Sequence, residues 1–403
     1  MAPAATGGSP PDARSLAIEV LGRIEGGGAY ANLALKAALD NSPLDRRDRA
    51  FATDLVYGTT RMRRACDHLL DRWLHDDVEP KVRTVLRLGA YQLAFGGVPP
   101  HAAVSATVAV APRRVRGLCN AVLRRVADEL SAGPPAWPSP AVGLSCPDWL
   151  YERLIEDLGV DDAVAALEAG NRPATAVVRD DGYHQDRASQ LVVEAVMETD
   201  SGPRTLDLCA APGGKATGMA AAGADVVACD LRPRRLALVA DNARRLGADL
   251  ALVVVDGRSA PFRAGSFDRV LVDAPCSGLG VLRRRADARW RDDPATGGRG
   301  DASVLELAEL QVALLDAAAD LVRPGGLLVY SVCTMTEAET AGVDRRFRAI
   351  RPGAEPVPVS SPWRPHGDGG TGGLLLPQDL DSEGMAVFRY RMSGSGSGSG
   401  SGS

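Results

Sequence analysis

RTLDLCAAPGGKATGMAAAGADVVACD, residues 204–230, decides the fold. The stretch opens on an apolar strand pattern at 204–209, turns through Gly213-Gly214, and returns to a second apolar strand pattern at 225–229. Working outward, similar runs stand at 251–255, 269–273, 327–333 and 386–390, and helical patterns lie between them near 232–246, 303–322 and 336–349. Short apolar strands alternating with helices predict an α/β domain over 187–391, built on a parallel sheet covered on both faces.

In an open sheet of this kind, ligands bind beyond the carboxyl ends of the strands. Those ends carry a consistent chemistry. The first is followed by Cys209, Ala210, Ala211, Pro212, Gly213, Gly214 and Lys215, a glycine loop that brings bare backbone close to a nucleotide-like ligand. It has neither the GxGxxG nor the Walker spacing. Asp230 ends the second strand, about 20 residues past the loop, where an acid accepts ribose hydroxyls; a helix cap is the plainer use. Asp256 ends the third and would meet an adenine amine, or serve as a turn residue before Gly257. Asp273 and Cys276 follow the fourth, and Cys333 follows the fifth. Both cysteines stand beside Pro, Ser or Thr rather than inside an apolar run, so a neighbouring positive charge could activate a thiolate there. Cys66, Cys119, Cys146 and Cys229 read as small buried hydrophobes, and Cys209 as an unreactive lining residue.

Upstream the pattern is helical. Asp12 caps a first helix that Gly26-Gly27-Gly28 stops, a second covers 30–39, and one long helix runs from Asp45 to Trp73. Further helices at about 80–95, 102–111 and 116–130 complete an all-α bundle over 12–130. A proline-rich linker at 131–147 and one or two amphipathic helices at 148–170 join the domains, so 131–186 reads as linker plus a short helical segment. Residues 1–11 read as a disordered N-terminus and 393–403 as a Ser-Gly tail without fold information.

The 403 residues require more than one domain, and 45% apolar with 24% charged residues is a globular balance. Net charge is −5, yet residues 1–130 hold 18 basic and 14 acidic residues, so a +4 part sits on a −9 remainder. That distribution is compatible with RNA. Seven cysteines without a CxxC suggest neither a zinc site nor a disulfide framework, and no metal is expected. Free thiols and the lack of a long apolar run predict a cytoplasmic, soluble protein with no membrane partner.

The quoted loop DLCAAPGGK (207–215), the segment FDRVLVDAPCSG (267–278) and YSVCT (330–334) resemble the motifs of the NOL1/NOP2/Sun RNA (cytosine-5)-methyltransferases. LDRRDRAFATDLVYGTTR (44–61) and NAVLRRV (120–126) are similar to the NusB-like domain fused to the bacterial RsmB-type members, and the resemblance runs from about 14 to 391. It implies a Rossmann-like class I methyltransferase domain after a NusB-like RNA-binding bundle. The implied cofactor is S-adenosyl-L-methionine, held by the loop with Asp230, Asp256 and Asp273. The implied substrate is a cytosine of RNA, most readily 16S ribosomal RNA, and not DNA, with the protein acting as a monomer. Cys333 would be the nucleophile at C6, Cys276 would assist release, Asp273 would hold the base, and Lys215 would lie beside it.

One departure is visible: Asn171-Arg172-Pro173 is followed almost at once by Gln185-Asp186, where the family usually carries an RRM-like subdomain. Arg283, Arg284 and Arg285 are placed to take RNA phosphates, though a solvated loop would look the same. Two other readings stay open: a non-catalytic RNA-binding assembly factor, and the same chemistry on transfer RNA.

Overall fold

The computed structural model describes residues 12–198 and 202–393, so the expected disordered N-terminus and all but the first residue of the Ser-Gly tail lie outside the described residues. The chain divides into two compact units: Met1–Tyr151 with Leu282–Gly298, and Glu152–Val281 with Arg299–Ser403.

The first unit is helical. Asp12 accepts from the Ser15 backbone N–H to start Ala13–Gly27, and Gly28, at φ 61°, ends it. Ala31–Asp40, Arg46–Arg61, Arg63–Asp71, Pro80–Ala94, Pro100–Val110 and Arg116–Ala132 follow. Leu21, Leu55, Leu69, Leu86 and Leu123 meet in the core. The single helix expected from Asp45 to Trp73 is two, broken at Met62. The cause lies far along the chain: the Ser145 hydroxyl accepts from the backbone N–H of Arg64 (3.1 Å) and Ala65 (3.3 Å), capping a new helix from the side.

Leu282–Gly298, which the sequence pattern assigns to the α/β domain, packs within this helical unit. The Arg61 guanidinium donates to the Arg283 carbonyl (3.0 Å), Trp290 Nε1 to the Thr60 carbonyl (2.7 Å), and Arg289 to the Ser145 carbonyl (3.1 Å). Arg283 and Arg289 are therefore buried; Arg284 is half-buried and Arg285 exposed. Burial lowers the Arg289 pKa to about 9.

The second unit holds a nine-stranded sheet: β1 Arg204–Asp207, β2 Asp225–Asp230, β3 Leu250–Val254, β4 Phe267–Asp273, β5 Val322–Val332, β6 Ala354–Pro356, β7 Arg364–His366, β8 Gly372–Leu375 and β9 Met385–Met392. Its order is β3-β2-β1-β4-β5-β9-β8-β7, with β6 also paired to β9. The pairs among β1 to β5 are parallel, but β9 is antiparallel to β5, β6 and β8, and β7 to β8. The sheet is thus mixed, which corrects the all-parallel expectation. The cover on both faces also fails at the β3 edge, where Leu252 and Val254 are exposed.

Three strands had no sequence signal. β6 and β7 are three residues long and contain Pro356 and Pro365, and β8 begins with Gly372-Gly373. Glycine is needed there because an added Cβ would stand 2.3 Å from the Phe388 ring at 372 and 2.6 Å from Val359 at 373. The strand order reverses between β1 and β4, and this opens a crevice beyond their carboxyl ends. Between Asn171 and Gln185, where a subdomain was expected to be missing, the chain forms an irregular stretch with a single Val178–His184 bridge.

Candidate active site

The register of β4 on β5 sets the site. Asp273 pairs with Ser331, so Cys276 lies three residues beyond the pair and Cys333 two, at one edge of the sheet. The two sulfurs stand 3.2 Å apart, in hydrogen-bond contact and not bonded. Both side chains are half-buried. The Cys333 carbonyl accepts from Gly280 N–H (3.0 Å), and the Gly280 carbonyl accepts from Gly384 N–H (2.8 Å), which ties the two loops together.

Lys215 reaches the same edge from the loop after β1. Its Nζ donates to Asp273 Oδ2 at 2.8 Å, and Ser331 Oγ donates to Asp273 Oδ1 at 2.7 Å. Burial disfavours the ammonium, but Asp273 more than offsets this and the Lys215 pKa lies above its ordinary value, with Cys333 acting in the same direction. The Cys276 thiol is pushed well up by its hydrogen bond to Cys333, then by burial and by the charge of Cys333. It therefore stays protonated at neutral pH and can donate to Cys333. Burial pushes the Cys209 thiol far up as well, which makes it inert.

The loop itself is held from outside. Gly213 sits at φ 107°, with Val239 3.1 Å from where a Cβ would lie, so only glycine fits without strain. Arg235 donates to the Ala211 carbonyl (3.0 Å) and Asn242 to the Pro212 carbonyl (2.9 Å). Asp230, buried at the end of β2, accepts from Arg232 N–H (2.9 Å). Asp256 caps the turn Gly257–Ser259 and pairs with Arg258 at 2.7 Å, which lowers its pKa to about 2.

Four residues at this edge went unread in the sequence as site residues. Asp207 is fully buried, and no side chain hydrogen-bonds its carboxyl oxygens. Burial, then Asp273, push its pKa up to about 8, so it is neutral at pH 7. Its position at the end of the first strand was the available signal. Tyr183 and Gln185 pack over Gly214, where a Cβ would come within 3.0 and 3.2 Å of them. Arg179 donates to the Gly214 carbonyl (2.6 Å). Nothing in their local pattern marks them. Among the described residues no group of His, Cys, Asp and Glu could hold a metal ion, and no helix is long and apolar enough to cross a membrane.

A family model described as 16S rRNA methyltransferase RsmB/F matches residues 194–387, and one described as NusB family matches 11–128. The chain is 40% identical over 382 residues to ribosomal RNA small subunit methyltransferase B of Thermus thermophilus, covering 87% of this chain and 90% of that one. The chain belongs to the RsmB/F family of rRNA methyltransferases. A second relative, the probable ribosomal RNA small subunit methyltransferase B of Bacillus subtilis, is 31% identical over 85% of this chain and 89% of its own. The crystal structure of PH0851 superposes with a TM-score of 0.73 at 21% identity, covering 96% of this chain and 100% of that one, and shows the shared fold.

In this RsmB/F-family chain the Cys333 loop tolerates no side chain at 280. An added Cβ would lie 2.2 Å from the Gly384 carbonyl oxygen and 2.9 Å from that of Cys333. Gly280→Ala is expected to lower methyl transfer on the order of a hundredfold, as a displacement of about 1 Å at a reacting group does. A rate assay with a melting curve on the same sample checks it; wild-type activity would show that the loop position does not matter.

Proposed function

We propose that the chain methylates C5 of a cytosine in 16S ribosomal RNA, with S-adenosylmethionine as donor and a covalent bond between Cys333 and C6 as the intermediate. The observation that carries the reading is the pair of sulfurs 3.2 Å apart beside the Lys215–Asp273 ion pair. A scaffold that only binds RNA has no use for two paired thiols at a strand edge.

The residues fit an adenosyl ligand. The glycine loop offers backbone without side chains, Asp230 is placed for ribose hydroxyls, and Asp207 presents buried carboxyl oxygens that no side chain satisfies. Bound there, S-adenosylmethionine supplies an electrophilic methyl carbon. Asp230→Ala is expected to weaken its binding by about 1–3 kcal/mol, the usual loss of a charged hydrogen bond. Calorimetry reads this directly, and an unchanged affinity removes Asp230 from the cofactor site.

The protein's own groups then act in sequence. C5 and C6 are out of reach in a stacked helix, so the nucleotide enters extruded or from an unpaired region. Asp273 holds the exocyclic edge of the base while Lys215 keeps the carboxylate in place. The Cys333 sulfur adds to C6, and the π electron pair of the C5–C6 bond moves onto C5 and into the ring, so that C5 would bond the donor's methyl carbon as that carbon's bond to the sulfonium sulfur breaks. Once Cys333 is bound to carbon it is no longer a thiolate acceptor. Two of the three largest causes of the raised Cys276 pKa, the Cys333 hydrogen bond and the Cys333 charge, vanish at that moment. With those two causes gone, Cys276 can release its own proton to solvent water, and the resulting thiolate takes the C5 proton. The C–H electrons re-form the C5–C6 double bond and expel the Cys333 thiolate. In the helical unit, exposed Arg285 is placed for an RNA phosphate more directly than buried Arg283.

Bisulfite sequencing of ribosomal RNA from cells with and without the gene tests reaction and substrate together. One 16S cytosine protected only when the gene is present is the expected result. Protection confined to transfer RNA would move the substrate, and no difference at any cytosine would reject the reading.

A further inference from the structure

Behind the two cysteines lies a buried polar cluster that the chemistry above does not use. Glu339 is fully buried, six residues past Cys333. Its Oε1 accepts from Ser277 N–H (2.8 Å) and from Gln311 Nε2 (3.0 Å). Its Oε2 accepts from Ser277 Oγ (2.5 Å) and Thr336 Oγ1 (3.0 Å). Four donors on one carboxylate require an acceptor with no proton to give, and bonds of this charge-assisted kind are short and strong.

The donors are not scattered. Ser277 directly follows Cys276. Gln311 also donates to the carbonyl of Pro275 (2.9 Å), directly before Cys276, and its own carbonyl oxygen lies 2.9 Å from Tyr330 Oη on β5, a hydroxyl shared with the Glu339 carbonyl (2.6 Å). Because the single Ser277 hydroxyl proton goes to Glu339, the Ser277 oxygen is left to accept from Thr334, 3.0 Å away and next to Cys333. One carboxylate therefore fixes both neighbours of Cys276 and, through one hydroxyl, the residue after Cys333.

We propose that Glu339 is a positioning residue that sets the contact between the Cys276 and Cys333 sulfurs, acting through Ser277, Gln311 and Thr334 and touching neither substrate nor donor. Its bearing on methyl transfer rests on the function proposed above; its bearing on the sulfurs does not. Its negative charge also favours the protonated form of Cys276.

The test uses the full chain with Glu339→Gln, Ser277→Ala and Ser277→Thr. Diamide, which takes two electrons and two protons from a thiol pair, closes a disulfide only between sulfurs that can meet, and peptide mapping reads closure of Cys276 to Cys333. Wild type should close fast. Glu339→Gln, which replaces half of the acceptor with a donor, should close about tenfold or more slowly. It should lose methyl transfer on the order of a hundredfold in kcat with KM for RNA and donor affinity little changed. Ser277→Ala keeps the buried carboxylate and should show the same losses in smaller measure, whereas Ser277→Thr, which restores the hydroxyl, should recover both. Closure and kcat unchanged in folded Glu339→Gln and Ser277→Ala would overturn the proposal, as would a wild-type pair that does not close. Slowed closure in variants of a chain that transfers no methyl group would instead reject the proposed reaction and leave the positioning role standing.

Discussion

Cys333→Ala is expected to lower methyl transfer to RNA by about 10⁴-fold or more while leaving donor affinity unchanged. Loss of the attacking atom in a covalent mechanism is not compensated by the rest of a site, because binding and orientation alone return only a small part of the rate. Three features of the fold bear on this atom. The Asp273–Ser331 register puts it at the sheet edge, the Gly280 N–H holds its carbonyl, and its sulfur is among the groups that raise the Lys215 pKa. Alanine keeps the first two and loses only the nucleophile, so the protein should stay folded. Single-turnover transfer from labelled donor, with calorimetry for donor binding, measures both quantities. Residual transfer within tenfold of wild type would give the nucleophile's role to another group, with Cys276 the nearest.

Cys276→Ala has a different expected signature. On the proposed mechanism attack at C6 would still occur, but the group proposed to take the C5 proton would be gone, so the chain should stay attached to RNA. A gel under denaturing conditions should show a slower RNA–protein band that wild type does not accumulate, and turnover should fall by about 10²–10⁴-fold, the usual weight of a general base. If the band is absent although turnover falls, Cys276 assists addition rather than release. The raised pKa of the free Cys276 thiol fits the release role because the Cys333 hydrogen bond and the Cys333 charge, two of its causes, end when the adduct forms. A thiol protonated by burial alone would stay protonated throughout.

The sheet edge was legible from sequence because β1 to β5 are apolar runs whose ends carry the distinctive residues, and parallel pairing brings such ends together; antiparallel β9 was legible as an apolar run as well. The remaining strands were not, since Pro356, Pro365 and Gly372 break the alternation that marks a strand. Long-range partners were equally hidden. The break at Met62 depends on Ser145, and burial of Arg283 and Arg289 depends on the helix Arg46–Arg61 and on that same serine's carbonyl. An arginine run reads as solvated until something is seen to cover it. Glu339 reads as an ordinary acid at the start of a helix, and only the fold shows four donors converging on it. Asp207 was visible as a residue but not as a neutral one, because its pKa of about 8 arises from burial beside Asp273.

The central claim is that Cys333, and not Cys276, bonds to the base. It is tested most directly with RNA whose target cytosine carries fluorine at C5, which leaves no C5 proton to remove and so arrests the wild-type chain after methyl transfer. Protease digestion and mass spectrometry then identify the peptide that holds the nucleotide. The account predicts that this peptide contains Cys333; a nucleotide on the peptide that contains Cys276 contradicts it.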